Sequence, residues 1–371
     1  MNCNRLHSEV MLDSTDPISV QDIPTDSIYP GDCLKLLKSL PSNCLDLVVS
    51  SPPYNIGKEY EFKRELDIYL EDQRKVLIEA ARCLKQSGSI FWQVGSYAHN
   101  GALVPLDIRF FPILEEAGMT PRNRIIWVRQ HGLHASRKFS ARHESILWFT
   151  KSDSYKFNLD AVRVPQKYQN KKAHRGESKG ELSCNPLGKN PGDIWIFQNV
   201  KHNHEEQTIH PCQFPEDLIT RIVFAVTDPS DLICDPYMGT GTVAVVARDF
   251  SRHYIGAETD AKYLEIAKRR IDGLPDAKGS FANLKTLRAY AKRTGEPIER
   301  FRFDVQASEF ATEASQSRRY SEGHHLAALE ERLRYEEEHF VARVNNRPLP
   351  DNPHPEHLPK SPKAETPSLF G

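Results

Sequence analysis

Residues 46–55, DLVVSSPPYN, decide the fold because they run a core strand into a rigid turn. The short, unbroken apolar run from Leu47 to Val49 is typical of a strand that is buried on both faces. Two prolines then fix φ and remove N–H donors, so their carbonyl oxygens act only as acceptors. Ser51 adds a hydroxyl and Tyr54 adds an aromatic ring at the same corner. Acceptors beside a flat ring suit an exocyclic amino group on a planar base.

Outward from this corner, the sequence alternates strand and helix patterns. We predict strands at 46–50, 88–94, 124–129, 145–150, 231–235 and 254–258. We predict helices near 70–86, 216–227, 241–250 and 261–272. Near-continuous apolar strands between amphipathic helices indicate an α/β fold with a doubly wound, mostly parallel sheet that is covered on both faces.

The overall composition limits the kinds of partner that the chain can have. Its 371 residues carry a net charge of −1, so any nucleic-acid surface must be local. Its seven scattered cysteines contain no CxxC pair, which favours free thiols in a reducing compartment and no structural zinc. No apolar stretch is long enough to span a membrane, and the N-terminus has no signal-peptide pattern. We therefore expect a cytoplasmic protein without a membrane partner.

A basic segment interrupts the strand and helix alternation. Residues 155–190 hold eight Lys or Arg against three Asp or Glu. A solvated surface loop is the simplest interpretation, but a long insertion in a compact domain is more often functional or disordered. Beyond it, a helical pattern at 324–344 precedes a Pro-rich end, which predicts a C-terminal extension that is partly helical and then disordered.

A second corner follows the strand at 231–235. The residues after it, from Asp235 to Thr242, read DPYMGTGT, and such a Gly-x-Gly turn lets a ligand approach the backbone and aims free N–H groups at it. The next strand ends in Glu258, where a doubly wound fold places the carboxylate that grips a ribose diol. Alone, the turn is equally consistent with a tight strand-to-helix connection, and the missing GK[ST] excludes a Walker loop.

Taken together, these motifs resemble those of β-class, S-adenosylmethionine-dependent DNA amino-methyltransferases of restriction–modification systems, over about residues 28–272. Ser51-Pro52-Pro53-Tyr54 resembles the catalytic [D/N/S]-P-P-[Y/F] motif. The order of catalytic turn, basic segment and cofactor loop is the β arrangement. The resemblance implies methyl transfer to the amino group of a base that is flipped out of duplex DNA, with Ser51 and the Pro52 carbonyl holding that group and Tyr54 against the base.

The resemblance also implies the cofactor site. In the implied site, Asp32 contacts the adenine of S-adenosylmethionine and Glu258 contacts its ribose. The segments near Gly239 and His210 contact its methionine portion. The implied cofactor-binding residues are Asp32, His210, Pro211, Gln213, Asp235, Tyr237, Gly239, Thr240, Gly241, Thr242 and Glu258.

The methylated base stays open between two choices. Serine at the first motif position tends to go with cytosine N4 in this family, and aspartate with adenine N6, so we favour cytosine N4. An adenine-N6 methyltransferase is the first alternative. A DNA-binding protein with this fold and no activity is the second, although the intact Ser51 turn and Glu258 speak against it.

These assignments give an expected domain order. We predict a flexible arm at 1–26, catalytic and cofactor-binding halves at 27–151 and 207–273, a target-recognition region at 152–206, and the extension at 274–371. Phosphate contacts with double-stranded DNA are predicted for Arg163, Lys167, Lys171, Lys172, Arg175, Lys179 and Lys189. We expect a monomer or homodimer, paired with a cognate restriction endonuclease.

Other motifs carry alternatives that we do not favour. Pro211-Cys212 would suggest cytosine C5 chemistry, but it lies inside the cofactor-side HPxQ element, so we interpret Cys212 as a packing residue. His202-x-His204 has nothing to complete a metal site, and we predict none. His143-Glu144 resembles a family segment near the target pocket, where hydrogen bonding at the strand end is at least as good an interpretation as catalysis. Three tryptophans are assigned to sheet packing: Trp92, Trp127 and Trp148.

Overall fold

A computed structural model describes most of the first 272 residues. The described residues are 18–57, 63–99, 102–129, 134–166, 171–177, 179–181, 183, 185, 187–200 and 206–272. The predicted C-terminal helix and Pro-rich end lie outside them, as do Lys167 and the His202–His204 pair. Within the described part, no helix combines the length and the apolar character needed to cross a membrane.

Ten strands and six helices alternate along the described chain. The strands are β1 (Ser27–Pro30), β2 (Leu45–Ser50), β3 (Leu84–Val94), β4 (Ser96–His99), β5 (Ala102–Pro105), β6 (Thr120–Val128), β7 (His143–Thr150), β8 (Ile194–Ile196), β9 (Leu232–Asp235) and β10 (His253–Glu258). The helices are α1 (Cys33–Ser39), α2 (Leu66–Cys83), α3 (Leu106–Glu116), α4 (Glu216–Val226), α5 (Thr242–Asp249) and α6 (Ala261–Ile271).

Eight of these strands form one mixed sheet in the order β1-β10-β9-β2-β3-β7-β6-β8. Neighbours from β1 to β3 are parallel, as are β6 and β8, whereas β7 runs antiparallel to both β3 and β6. The predicted α/β fold with a mostly parallel, doubly wound sheet is therefore confirmed. Strands β4 and β5 form a separate antiparallel pair.

The sheet is buried on both faces because its apolar side chains alternate between two cores. Every residue of β2 is buried. Val49 packs in the core that α4, α5 and α6 cover, and Val48 packs in the core that α1, α2 and α3 cover. The predicted packing role of Trp92, Trp127 and Trp148 is confirmed, since all three are buried.

The connections leave the centre of the sheet in opposite directions. From β2 the chain crosses to β3, and from β9 it crosses the other way to β10. The point where the winding reverses therefore lies between β2 and β9. In open α/β sheets, the crevice outside the carboxyl ends of the strands at this point is where ligands bind.

Parts of two predicted segments are bonded to the main sheet or to α1. Residues 18–26 were predicted to belong to the arm, but the Ile18 N–H donates to Ser39 O at 2.9 Å and Asp26 Oδ2 lies 2.8 Å from His253 Nδ1. This stretch is anchored because Ile18 packs against the core beneath α1. Within the predicted recognition region, 152–206, β8 pairs with β6 in the main sheet, and the role of that region stays a prediction.

Residues 163–190 belong to a second compact unit. Val164 and Lys189 exchange both backbone hydrogen bonds, at 3.0 and 2.8 Å. Gly188 adopts φ +103°, and a Cβ at this position would lie 2.4 Å from Val164 O, so the bridge requires glycine there. Five of the predicted DNA-contacting residues are exposed on this unit: Lys171, Lys172, Arg175, Lys179 and Lys189. Arg163 is half-buried and donates to Gly188 O at 3.1 Å.

Candidate functional site

The two corners that the sequence singled out meet at neighbouring strand ends. Strands β2 and β9 pair in parallel through Val48 and Cys234. At their ends, the Ser50 hydroxyl donates to Asp235 Oδ1 at 2.5 Å and accepts from the Tyr237 N–H at 3.2 Å. The residue before the proline turn is therefore bonded directly to the start of the glycine turn, and both corners open on the crevice at the switch point.

Burial makes Asp235 a weaker acid than an ordinary aspartate. Its carboxyl group has lost contact with water, which raises its pKa to about 7, and the nearby Glu258 carboxylate acts in the same direction. Hydrogen bonds from Ser50 and from the Tyr237 N–H oppose the rise. Asp235 therefore changes protonation state near neutral pH.

Asp235→Asn is expected to remove a pH dependence of stability. In the wild-type chain this group has a pKa of about 7 when folded and near 3.8 when unfolded. The unfolded state loses its proton first as pH rises, so the stabilisation present at low pH is lost between about 4 and 7, at about 1.4 kcal/mol per pKa unit. Thermal melts should show wild-type Tm falling relative to that of the variant across this window. A Tm difference that stays constant would contradict the assignment.

The proline turn leaves one carbonyl oxygen open. Tyr69 Oη donates to Pro53 O at 2.6 Å, so that oxygen is occupied. For Pro52 O, no donor is found among the described residues. The hydroxyl of Ser51 donates to Tyr54 Oη at 3.1 Å, which leaves its lone pairs available as acceptors. Two acceptors, Ser51 Oγ and Pro52 O, thus remain at the corner, as expected from the sequence.

A chain of hydrogen bonds fixes the direction of the Ser51 hydroxyl. Tyr54 Oη donates to Gln93 Oε1 at 2.6 Å and lies 3.3 Å from Glu144 Oε2. Gln93 Nε2 donates to the same Glu144 oxygen, and Arg129 pairs with the other Glu144 oxygen at 2.9 Å. Burial and the Glu144 charge raise the pKa of Tyr54 well above its usual value, so the phenol keeps its proton. The relay therefore holds Ser51 as a donor to Tyr54.

The ring of Tyr54 is less open than a stacking platform needs. Only 9% of Tyr54 is exposed, and a Cβ on Gly95 would lie 2.9 Å from its ring atom Cε2. The absence of a side chain at Gly95 thus allows the ring to pack against the end of β3. Stacking of a base on Tyr54 stays a prediction, whereas its hydroxyl has a defined place in the relay.

The glycine turn satisfies most of its own N–H groups, and the prediction that they are free is wrong. Gly239 N–H donates to Glu258 Oε2 at 2.7 Å, and Gly241 N–H donates to Met238 O at 2.9 Å. Met238 N–H donates to Ala257 O. Sequence reasoning did not place Glu258 close enough to the turn to accept the bond from Gly239.

The side chains of Thr240 and Thr242 face inwards, and the predicted contact of these residues with a cofactor stays a prediction. Arg270 Nη1 donates to Thr240 O at 2.7 Å and to Thr242 Oγ1 at 2.9 Å. The same guanidinium pairs with Glu216 at 3.0 Å, and neither of these two charged side chains is exposed. Arg270 therefore supports the glycine turn through its bonds to Thr240 and Thr242. At Gly241, φ is +79° and a Cβ would lie 2.9 Å from the Ala267 Cβ, so glycine is required.

The loop before α4 forms one wall of the glycine turn. The His210 ring lies 3.6 Å from a Cβ built on Gly239, and its Nδ1 accepts from Cys212 N–H at 3.1 Å. Gln213 Nε2 donates to Glu206 O at 2.7 Å, and its Oε1 accepts from the Thr208 hydroxyl at 2.8 Å. These bonds give Gln213 a role in shaping the loop.

Three other residues that the sequence singled out are Pro211, Cys212 and Tyr237. Pro211 is exposed and Cys212 is half-buried. Tyr237 Oη accepts from Gln73 Nε2 at 2.8 Å, and burial raises the pKa of this phenol well above its usual value. Among the described residues, no cluster of His, Cys, Asp and Glu could hold a metal ion.

Two carboxylates at adjoining strand ends fit the nucleoside of S-adenosylmethionine. Pro30 pairs with Glu258 across β1 and β10, which brings Asp32 close to the end of β10. Asp32 is exposed, and among the residues that the structure describes only its Oδ1 accepts a hydrogen bond, from the Lys35 N–H in the cap of α1. Glu258 is half-buried, and burial raises its pKa. Each carboxylate keeps free lone pairs, which is what ribose hydroxyls and an adenine amino group require.

Sequence reasoning missed four residues of the site and left Glu144 undecided. Gln93 gave one usable signal, since it is a polar residue inside the apolar strand GSIFWQV. Arg129, Gly95 and Arg270 gave none, because their partners are distant in sequence.

Comparison with known proteins agrees with this geometry. A model of the DNA methylase family, N6_N4_Mtase, matches residues 45–269. Type II methyltransferase M.BglII of Bacillus subtilis is 52% identical over 318 residues, which cover 85% of this chain and 88% of that protein. DNA adenine methyltransferase YhdJ of Escherichia coli (strain K12) is 32% identical over 251 residues, covering 66% and 82%. The solved structure of PvuII DNA methyltransferase (cytosine-N4-specific) shares the fold, with a TM-score of 0.50 and 21% identity over 67% of this chain and 93% of that one.

Proposed function

Because this chain belongs to the DNA methylase family, we propose that it methylates the N4 amino group of a cytosine at a specific site in duplex DNA. The observation that carries the choice of base is the neutral acceptor pair at the proline turn. Ser51 Oγ is held as a donor to Tyr54, and Pro52 O lacks a donor among the described residues. Two neutral acceptors match the two N–H bonds of an exocyclic amino group, and a neutral hydroxyl where a carboxylate would pull harder favours cytosine N4 over adenine N6.

The chain's own residues provide positioning in this reaction. S-adenosylmethionine, when bound, supplies a methyl group on a positively charged sulfur that leaves as a neutral thioether. Asp32 and Glu258 would hold its adenosine, and the His210 loop would hold its methionine portion. Ser51 Oγ and Pro52 O accept from the target amino group, which turns its nitrogen lone pair towards the methyl carbon. As the N–C bond forms and the S–C bond breaks, one amino proton is released to solvent. Orientation of this kind contributes a large share of catalysis when no covalent intermediate is needed.

Gln93 and Glu144 act through Tyr54 and Ser51, as positioning residues. Glu144 accepts from Gln93, Gln93 accepts from Tyr54, and Tyr54 accepts from Ser51. Arg129 neutralises Glu144, so the chain of bonds ends on a satisfied ion pair. With its proton directed at Tyr54, the Ser51 hydroxyl meets the amino group with its lone pairs.

The exposed cations of residues 163–190 are proposed to bind DNA phosphates. Phosphate contacts release counterions, so affinity should fall steeply as salt rises. Base edges in the grooves then select the site. The likeness to M.BglII, a Type II methyltransferase, supports the further proposal that the chain is the modification partner of a cognate restriction endonuclease and acts in the cytoplasm. Adenine N6 is the second candidate, because the 32%-identical YhdJ is a DNA adenine methyltransferase.

Methylome sequencing of a host that carries only this modification gene tests the proposal. We expect a mark on cytosine N4 at every copy of one short sequence, and no mark in a host that carries the empty vector. The same mark on adenine would establish the second candidate in place of the first. No mark, in cells where the chain is folded and binds S-adenosylmethionine, would favour an inactive DNA-binding protein.

A further inference from the structure

The loop between β6 and β7 presents a fully exposed aromatic side chain. Phe139 is 102% exposed, more than any other large apolar side chain in the described part of the chain. The next most exposed one, Ile108, reaches 62%. Covering an exposed phenyl ring lowers the free energy by about 25 cal/mol for each Å² of apolar surface removed from water.

This loop is attached at the catalytic edge of the sheet. Its base is closed where the Arg129 N–H donates to Arg142 O at 2.7 Å. Arg129 also pairs with Glu144, which contacts Tyr54 of the proline turn. Phe139 is five residues from Glu144, a chain length of at most about 18 Å. Phe139 therefore lies within reach of a duplex whose target base occupies the turn.

The charge of the loop identifies the partner that would cover Phe139. Residues 129–143 contain Arg129, Arg137, Lys138 and Arg142 and no Asp or Glu. Arg137 and Lys138 directly precede Phe139 and are exposed like it, and Arg142 follows three residues later. An apolar ring between cations matches the interior of a duplex, where stacked bases lie between two rows of phosphates.

We propose that Phe139 inserts into the base stack of the duplex at the target site and fills the gap that the flipped base leaves, while Arg137 and Lys138 bind the adjoining phosphates. This inference rests on the proposed function. Flipping a base costs a few kcal/mol of lost stacking and pairing, and apolar side chains that enter the stack offset such a cost. Phe139 lowers the barrier to flipping and does not touch the amino group.

The test uses two duplexes that carry the methylated sequence found in the host. In one, the target cytosine is paired with guanine, and in the other it lies opposite an abasic site. Phe139→Ala should lower kcat/KM at least about tenfold on the paired duplex, and less than about threefold on the abasic one, where pairing is already lost. Phe139→Leu keeps an apolar wedge and should stay within about threefold of wild type on both duplexes. Ile108→Ala, an exposed apolar change on α3, is the matched control and should change neither rate.

A second readout does not depend on methyl transfer. With a fluorescent cytosine analogue at the target position, wild-type binding should brighten the probe, and Phe139→Ala should give less than about a third of that rise at saturation. The proposal would be overturned if Phe139→Ala lowered kcat/KM equally on both duplexes, or if it kept the wild-type rates on both. A change in oligomeric mass without a change in rate would overturn it too, and would assign Phe139 to a contact between two copies. A wild-type chain that neither methylates nor brightens either duplex would instead refute the proposed function.

Discussion

Ser51→Ala is expected to lower the rate of methyl transfer by about 100-fold or more, since a single aimed hydrogen-bonding group is worth this much in a preorganised site. The variant removes the acceptor that the relay from Glu144 through Tyr54 keeps oriented. Single-turnover measurements with a labelled methyl donor give the rate. Calorimetry should find S-adenosylmethionine affinity within about threefold of wild type, because the carboxylates assigned to the adenosine are untouched.

Ser154→Ala is the matched control for this prediction. Ser154 is an exposed serine beyond β7, and no hydrogen bond of its hydroxyl is found among the described residues. Its replacement should leave rate and affinity unchanged. If Ser51→Ala weakened cofactor binding and transfer equally, Ser51 would have to be reassigned to the cofactor side of the crevice.

Arg270→Met is expected to produce the largest loss of stability among single substitutions near the site. The change strands the fully buried Glu216 carboxylate without its partner, and breaking a buried pair in this way costs about 3–5 kcal/mol. It also removes the donor that bonds to Thr240 and Thr242 and so supports the glycine turn. Denaturant unfolding measures the free energy, and a weaker cofactor affinity should accompany the loss because the turn is no longer supported.

A double variant separates the buried charge from the lost packing. Arg270→Met combined with Glu216→Met removes both charges, so it should be more stable than Arg270→Met alone. Lys262→Met, which lies exposed on the same helix, should change the free energy of unfolding by less than about 0.5 kcal/mol. A double variant less stable than either single one would show that the charge pair is not the source of the loss.

Local patterns were sufficient to predict the central strands and four of the six described helices, namely α2, α4, α5 and α6. The apolar run that ends at Ser50 and the one that ends at Asp235 each mark a buried strand, and each is followed by turn residues. Short or irregular elements escaped prediction. Helix α1 has only seven residues, α3 contains Pro112, and β8 has three residues in a basic segment. None of these gives a clear periodicity.

The relay and the support of the glycine turn could not be predicted, because they depend on strand order. Tyr54, Gln93, Glu144 and Arg129 come together only because β7 inserts antiparallel between β3 and β6. A single sequence carries no sign of that insertion. Arg270 likewise looks like a surface residue in the basic last turn of α6, yet it is 1% exposed.

Nucleoside mass spectrometry after incubation with DNA and deuterium-labelled S-adenosylmethionine tests the central claim, that the proline turn and the glycine turn serve one reaction. The account predicts that the labelled methyl group appears on N4 of deoxycytidine. Label on adenine N6, on cytosine C5 or on no nucleoside, with a folded chain that binds the donor, would contradict it.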